Sequence, residues 1–379
     1  MNVNDLPEPV LIIQPQALEK LAAELMQHPI VAVDTESNSL YVFQEQVCLI
    51  QFSTPERDYL VDPLALDDLS PLEPVFASPQ VEKVFHAAEY DIICLKRDFG
   101  FEFANLFDTM VAARILGREA VGLGSMLDES FGVHLEKRYQ RANWGERPLP
   151  EHLLRYARLD THFLIGLRDR LEAELREQKL LPLANEDFDR LTQVNGVVRE
   201  AADPEQDCWR VKGSHDLQPR EAAVLIELCR YRTMVAERIN RPLFKVMHDS
   251  TLVAIAELQP TTLADLGRLP GMSQRQVERH GRAILAAVQR GRASDPAYPP
   301  HSPRPDDAYL ERVERLRQWR KQAARAMGVK SDVVLPRDLM LELASRNPHD
   351  RQQLAHVLRS ARWRLEHFGS DILQALAGH

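Results

Sequence analysis

The 379-residue sequence has only four cysteines, Cys48, Cys94, Cys208 and Cys229, and no two of them form a C-x-x-C pair. That spacing offers neither a zinc knuckle nor a disulfide framework, and buried free thiols are expected. No apolar run approaches the roughly 20 residues of a spanning helix. Met1 to Val10 has no basic start followed by an apolar stretch, so no secretory signal is read there. A cytoplasmic protein with no membrane role is the expectation. Charged residues at 27% and hydrophobic ones at 44% exclude disordered and fibrous classes. At about 150 residues per domain the length implies two or three domains.

What is present is a charge asymmetry hidden by the net charge of -9. From Arg210 onward the chain carries 28 basic and 19 acidic residues, whereas Met1 to Trp209 carries 19 basic and 37 acidic. An acidic front suits divalent cations. A basic back suits a polyanion, because counterion release from phosphates drives nucleic-acid affinity.

The front reads as α/β. A helical stretch from Gln16 to Gln27 leads into Ile30-Val31-Ala32-Val33-Asp34, a β-branched run typical of a central strand. Val47 to Phe52 and Tyr59 to Val61 read as the next strands, joined by a Thr54-Pro55-Glu56-Arg57 turn in an antiparallel meander. Val81 to Phe85 gives a fourth strand, Ala88 to Asp98 a helix, and a long helix is expected from near Pro150 past Leu171. The pattern predicts a mixed sheet flanked by helices.

The back reads as helical, and it repeats. Residues 225 to 288 laid over 313 to 376 at a constant offset of 88 give 12 identities, against roughly 4 expected from composition. They include Arg232 with Arg320, Pro260 with Pro348 and Gly281 with Gly369. The expected organisation is a front domain over residues 1–204, a helical module over 210–293, a Pro-rich spacer over 294–306 and a second module over 307–379.

Three carboxylate motifs occur in order. Asp34 and Glu36 end the first long strand, and a period of two puts both on one face. Two acids so close repel each other and are best tolerated with a cation between them. Asp91 lies one turn into the helix after the strand ending at Phe85. Tyr156 and Asp160, four apart, share a helical face. Four hard oxygen donors suit magnesium or manganese, and a pair of such ions can stabilise both oxygens of a phosphodiester displacement. The tyrosine hydroxyl could orient or help deprotonate an attacking water. Each motif alone is weak, and solvated loop acids or a core tyrosine would explain it. Asp108 reads as a helix N-cap rather than a metal ligand.

In that order the motifs resemble the DEDD superfamily of 3′-to-5′ exonucleases, which have a ribonuclease H-like fold, in the tyrosine subtype. The resemblance carries over Asp34, Glu36, Asp91, Tyr156 and Asp160 as catalytic residues, with the four carboxylates as ligands of two divalent ions, Mg2+ or Mn2+. The sibling subtype has a histidine five residues before the last aspartate, where this chain has Arg155. Leu49-Ile50-Gln51, Phe107-Asp108-Thr109 and Trp144-Gly145-Glu146-Arg147-Pro148-Leu149 resemble the ribonuclease D group within that superfamily. The group commonly has Asp before that tryptophan; here it is Asn143. The helical modules resemble HRDC domains. In the first, Gly271 could open a helix N-terminus toward a phosphate; the aligned residue in the second is Arg359.

The resemblance implies a 3′-to-5′ exoribonuclease releasing nucleoside 5′-monophosphates, acting on precursor tRNA as a monomer, with the modules gripping the RNA body. Substrate contacts are expected at Thr35, Gln51, His86, Trp144 and Gly271, with His86 read as structural or substrate-side. Two alternatives stand beside it: a DNA exonuclease sharing the same five residues, and a non-catalytic RNA-binding protein on the same fold.

Overall fold

The computed structural model describes residues 6–196, 204–300 and 306–378. Residues 301–305 of the expected Pro-rich spacer lie outside them. The chain divides into two compact units, one formed by Met1–Ser37, Val47–Val197 and Pro305–His379, the other by Asn38–Gln46 and Val198–Arg304. Among the described residues, no helix is long and apolar enough to cross a membrane.

The first unit is built on a six-stranded sheet. Its strands are β1 (Val10–Ile12), β2 (Ile30–Ser37), β3 (Val47–Ser53), β4 (Asp58–Val61), β5 (Glu82–Phe85) and β6 (Leu106–Asp108). Their order is β1-β4-β3-β2-β5-β6. Strands β2, β3 and β4 pair antiparallel, as the meander predicts, while β1 joins β4 and β5 joins both β2 and β6 in parallel. The sheet is therefore mixed. β1 and β6, three residues each, escape a sequence reading because periodicity needs a longer run. Every residue of β3 is buried, consistent with its apolar run Val-Cys-Leu-Ile-Gln-Phe-Ser.

Among the described residues, nine α-helices accompany this sheet: α1 (Pro15–Leu25), α2 (Glu73–Ala77), α3 (Glu89–Phe99), α4 (Thr109–Ile115), α5 (Leu123–Phe131), α6 (Glu151–Ala157), α7 (Leu159–His162), α8 (Leu164–Glu177) and α9 (Leu181–Thr192). The long helix expected after Pro150 is thus three shorter ones. At the first break Thr161 Oγ1 donates to the Arg158 carbonyl at 3.2 Å, a side-chain competitor for the helical ladder. At the second, Phe163 turns to pack on Phe131 with ring centroids 5.6 Å apart.

The first helical module, in the second unit, contains α10 (Pro204–Cys208), α11 (Pro219–Arg238), α12 (Leu243–Val246), α13 (Asp249–Leu258), α14 (Leu263–Leu266) and α15 (Gln274–Ala293). The second, in the first unit, contains α16 (Asp307–Met327), α17 (Ser331–Val334), α18 (Arg337–Arg346), α19 (Arg351–Val357) and α20 (Arg362–Ala377). The repeat extends to individual bonds. Arg232 donates to the carbonyl of Met247 and Arg320 to that of Leu335, the same bond displaced by 88 residues. Gln259 and Asn347 close α13 and α18 in the same left-handed conformation.

One expectation about cysteine is corrected. Cys208 and Cys229 form a disulfide with Cα atoms 5.8 Å apart, because α10 packs on α11 and brings together residues 21 apart in sequence. Cys48 and Cys94 are buried free thiols.

The second module also does more than stand beside the α/β region. Its Val333 is part of the core beneath the sheet, with Met327, Val329 and Trp363 packed against it.

Candidate active site

β2 carries Asp34 and Glu36 at its C-terminal end, opposite Gln51 and Leu49 of β3. Alternation along the strand turns both acids to one face, and α7 brings Asp160 to the same point. One carboxylate oxygen from each of Asp34, Glu36 and Asp160 lies within 4.8 Å of the others. Asp91, in the first turn of α3, is buried beside them and accepts a hydrogen bond from Thr35 Oγ1, the hydroxyl between the two β2 acids.

The electrostatics of the four are strained. Burial, then repulsion from Asp91, Asp160 and Glu36, pushes Asp34 well above the usual carboxylate range. Glu36 is raised in the same way by burial and then by Asp160 and Asp91. Burial raises Asp91 to about 7 despite the bond from Thr35, and Asp160 to about 8 with a further push from Asp91. Every charged group among these causes is another carboxylate. Hard oxygen donors at this spacing, with their charge unopposed, fit a divalent cation of the magnesium or manganese type.

Tyr156 overlooks the cluster from α6. Its ring packs between Tyr139, 5.5 Å away, and Trp144, 6.2 Å away, and the Gln140 side chain hydrogen-bonds its hydroxyl. Burial and the nearby Asp160, Glu36 and Asp34 push the phenol far above its ordinary range. It is held neutral, which favours orienting a water over removing its proton.

Two of the expected substrate contacts are buried. Gln51 is sealed from solvent in β3, with Nε2 3.5 Å from Asp34 Oδ2, behind that carboxylate. Trp144 is only 1% exposed and forms a small core with Tyr156, Leu153 and Cys48. Thr35 is partly exposed, but its hydroxyl is committed to Asp91. His86, also partly exposed, shares a 2.9 Å hydrogen bond between Nδ1 and Thr109 Oγ1. In the first helical module Gly271 has φ +83°, and a Cβ there would come 2.1 Å from Thr251 Oγ1. Only glycine fits this turn. It leads to Ser273, which caps α15 by accepting from Gln276 N.

The segment that bears Tyr156 and Asp160 is braced at both ends. Arg147, before α6, donates to both carboxylate oxygens of Asp62 at 2.7 Å and to the Cys48 carbonyl. At the other end, His162 Nδ1 lies 2.9 Å from Asp58 Oδ2, and Ser53 Oγ bonds both Asp58 and Thr161. Asp58 and Asp62 stand at the two ends of β4, so one strand brackets the segment bearing Tyr156 and Asp160.

Comparison with known proteins agrees with this architecture. A family model described as 3′-5′ exonuclease matches residues 9–176, and the HRDC domain model matches 221–288 and 310–376. Ribonuclease D of Pseudomonas paraeruginosa is 30% identical over 374 residues, 98% of each chain. Protein RRP6-like 1 of Arabidopsis thaliana is 34% identical over 305 residues; the match takes in 76% of this chain and about half, 47%, of that longer relative. The crystal structure of Escherichia coli RNase D superposes with a TM-score of 0.70 over 98% of this chain and 100% of that one, at 24% identity, which supports the fold.

Proposed function

The chain belongs to the ribonuclease D family, and from that premise we propose that the acidic cluster is the hydrolytic centre of a metal-dependent 3′-to-5′ exoribonuclease. The observation that carries this reading is the convergence of Asp34, Glu36 and Asp160 within 4.8 Å, with Asp91 tied in through Thr35. Asp34, Glu36 and Asp160 would hold one divalent ion, and Asp34 with Asp91 a second. Ions bound there supply Lewis acidity to the attacking water and charge neutralisation to the departing 3′ oxygen. Tyr156, protonated and fixed by Gln140, orients the nucleophile. Gln51 and Thr35 hold Asp34 and Asp91 in place from beneath. The products are nucleoside 5′-monophosphates released one at a time.

Family membership supports precursor tRNA 3′ ends as the substrate, a monomer as the working form and the cytoplasm as the compartment. The basic balance of the chain from Arg210 onward suits an RNA body held away from the site. A time course on a 5′-labelled RNA with a tRNA-like body and a short 3′ tail, beside the same-sequence DNA, tests the reading in Mg2+, Mn2+ or chelator. A metal-dependent ladder shortening from the 3′ end of the RNA is expected. Equal rates on DNA would shift the assignment to a general or DNA exonuclease, and binding without cleavage would mark a non-catalytic RNA-binding protein.

A further inference from the structure

Asp108 has more hydrogen bonds than its role as a helix cap requires. It ends β6, is 1% exposed, and caps α4 by accepting from Met110 N at 2.8 Å and Val111 N at 3.0 Å. One side-chain oxygen is enough for such a cap, and serine, threonine or asparagine supply it equally well. Here the same carboxylate also reaches backward across the sheet edge. Oδ1 accepts from Ala87 N at 3.1 Å and Oδ2 from Ala88 N at 2.7 Å.

Those two amides belong to the turn between β5 and α3. Ala87 has φ +66°, a left-handed conformation uncommon for a residue with a side chain. Ala88, the N-cap of α3, offers no side-chain cap of its own. The turn therefore lacks both of the usual local devices, a glycine and a capping side chain. Its shape is imposed from β6 instead. Thr109 completes the restraint, donating to the Phe85 carbonyl at 3.0 Å and meeting His86 Nδ1 at 2.9 Å. Four residues beyond Ala87, in the first turn of α3, is Asp91.

We infer that Asp108 is a positioning residue for the metal centre: by bonding Ala87 and Ala88 it fixes the β5–α3 turn and so the approach of the Asp91 carboxylate to Asp34 and Asp160. This rests on the reading of the four carboxylates as metal ligands. Backbone strain held in place by its surroundings at a site of function is a known form of preorganisation, and outer groups that orient ligands typically change metal affinity by about 10- to 100-fold.

The test is direct Mn2+ binding to the full chain, followed by calorimetry or by the spin resonance of the free ion, with circular dichroism as the folding control. Asp108→Asn should weaken binding about tenfold or more. That loss alone could come from removing a negative charge near Asp91. Adding Ala87→Gly separates the causes, because glycine relaxes the left-handed turn and restores no charge. The double variant D108N/A87G should regain most of the lost affinity. Unaltered binding by D108N, or a double variant no better than D108N, overturns the inference. If D108N does not fold, Ala87→Val strains the turn while leaving Asp108 in place; it should weaken binding by a similar factor, and wild-type affinity would overturn the inference. The wild-type protein reports separately on the underlying reading: if it binds no Mn2+, the metal centre itself is refuted and the inference with it.

Discussion

Arg364, near the start of the last helix, is completely sealed from solvent with its Nη1 3.1 Å from the Glu186 carboxylate of α9. Its Nη2 reaches Asp187 at 2.9 Å and the Val333 carbonyl at 2.9 Å, its Nε reaches the Val334 carbonyl at 3.0 Å, and the Trp363 N–H donates to Glu186. One guanidinium thus joins the second helical module to the nuclease fold. Burial raises Glu186 even against this partner, so the desolvation cost of the pair is large.

Removing one partner of such a pair leaves the other buried and unmatched, at about 3–5 kcal/mol. Arg364→Ala should lower the thermal midpoint of the first unit by several degrees, and deletion of residues 306–379 should do more by uncovering the core around Val333. Unfolding curves of both proteins check this. A midpoint equal to wild type would mean the module is only loosely attached.

Asp34→Asn removes charge from the ligand shared by the two proposed ions. Hydrolysis should fall by at least about 100-fold with the far-ultraviolet spectrum unchanged. Metal-free stability should rise, because the substitution relieves the repulsion that lifts Asp34, Glu36 and their neighbours. An active variant would remove Asp34 from the metal centre.

Tyr156→Phe keeps the packing against Tyr139 and Trp144 and deletes only the hydroxyl. A drop in kcat of about 100-fold or more with little change in KM is expected for the loss of a group that positions the nucleophile's proton. Single-turnover rates on a short RNA measure it. Normal chemistry would leave Tyr156 a packing role alone.

The raised carboxylates give the metal-free protein a characteristic pH dependence. Asp91 at about 7 and Asp160 at about 8 keep protons in the folded state that the unfolded chain has already released above pH ~4. The folded state binds more protons across that window, so stability conferred by these groups is present at low pH and is lost as pH rises through about 7 to 8. Thermal midpoints in chelator should therefore decline from pH 6 to 8.5, and Asp160→Asn should flatten the decline. Metal binding, which needs the ionised forms, should strengthen over the same range by up to about tenfold per pH unit for each proton displaced. A wild-type slope no steeper than that of the variant would contradict the assignment.

Much of the candidate site was legible because its logic is local. Asp34 and Glu36 share a face through the period of a strand, and Tyr156 and Asp160 through the period of a helix that persists across the break at Arg158. The N-cap at Asp108 was legible for the same reason, being set by the two residues that follow it. The 88-residue repeat likewise reappears bond for bond, since Arg232 and Arg320 find equivalent carbonyls within their own modules.

What the sequence by itself determined, then, is the set of elements and the chemistry each presents, because these depend on neighbours three or four residues away. Only the tertiary structure decided which groups hold that chemistry in place. Thr35 meets Asp91 across 56 residues, His162 meets Asp58 across 104, and Arg364 meets Glu186 across 178. The same is true of Gln51, buried behind Asp34, of Trp144, buried against Tyr156, and of Cys208 and Cys229, which pair because two helices pack. Two modules with a common sequence pattern also differ in surroundings: the second buries Val333 and Arg364 in the nuclease unit, and no periodicity within a module records what it will be packed against.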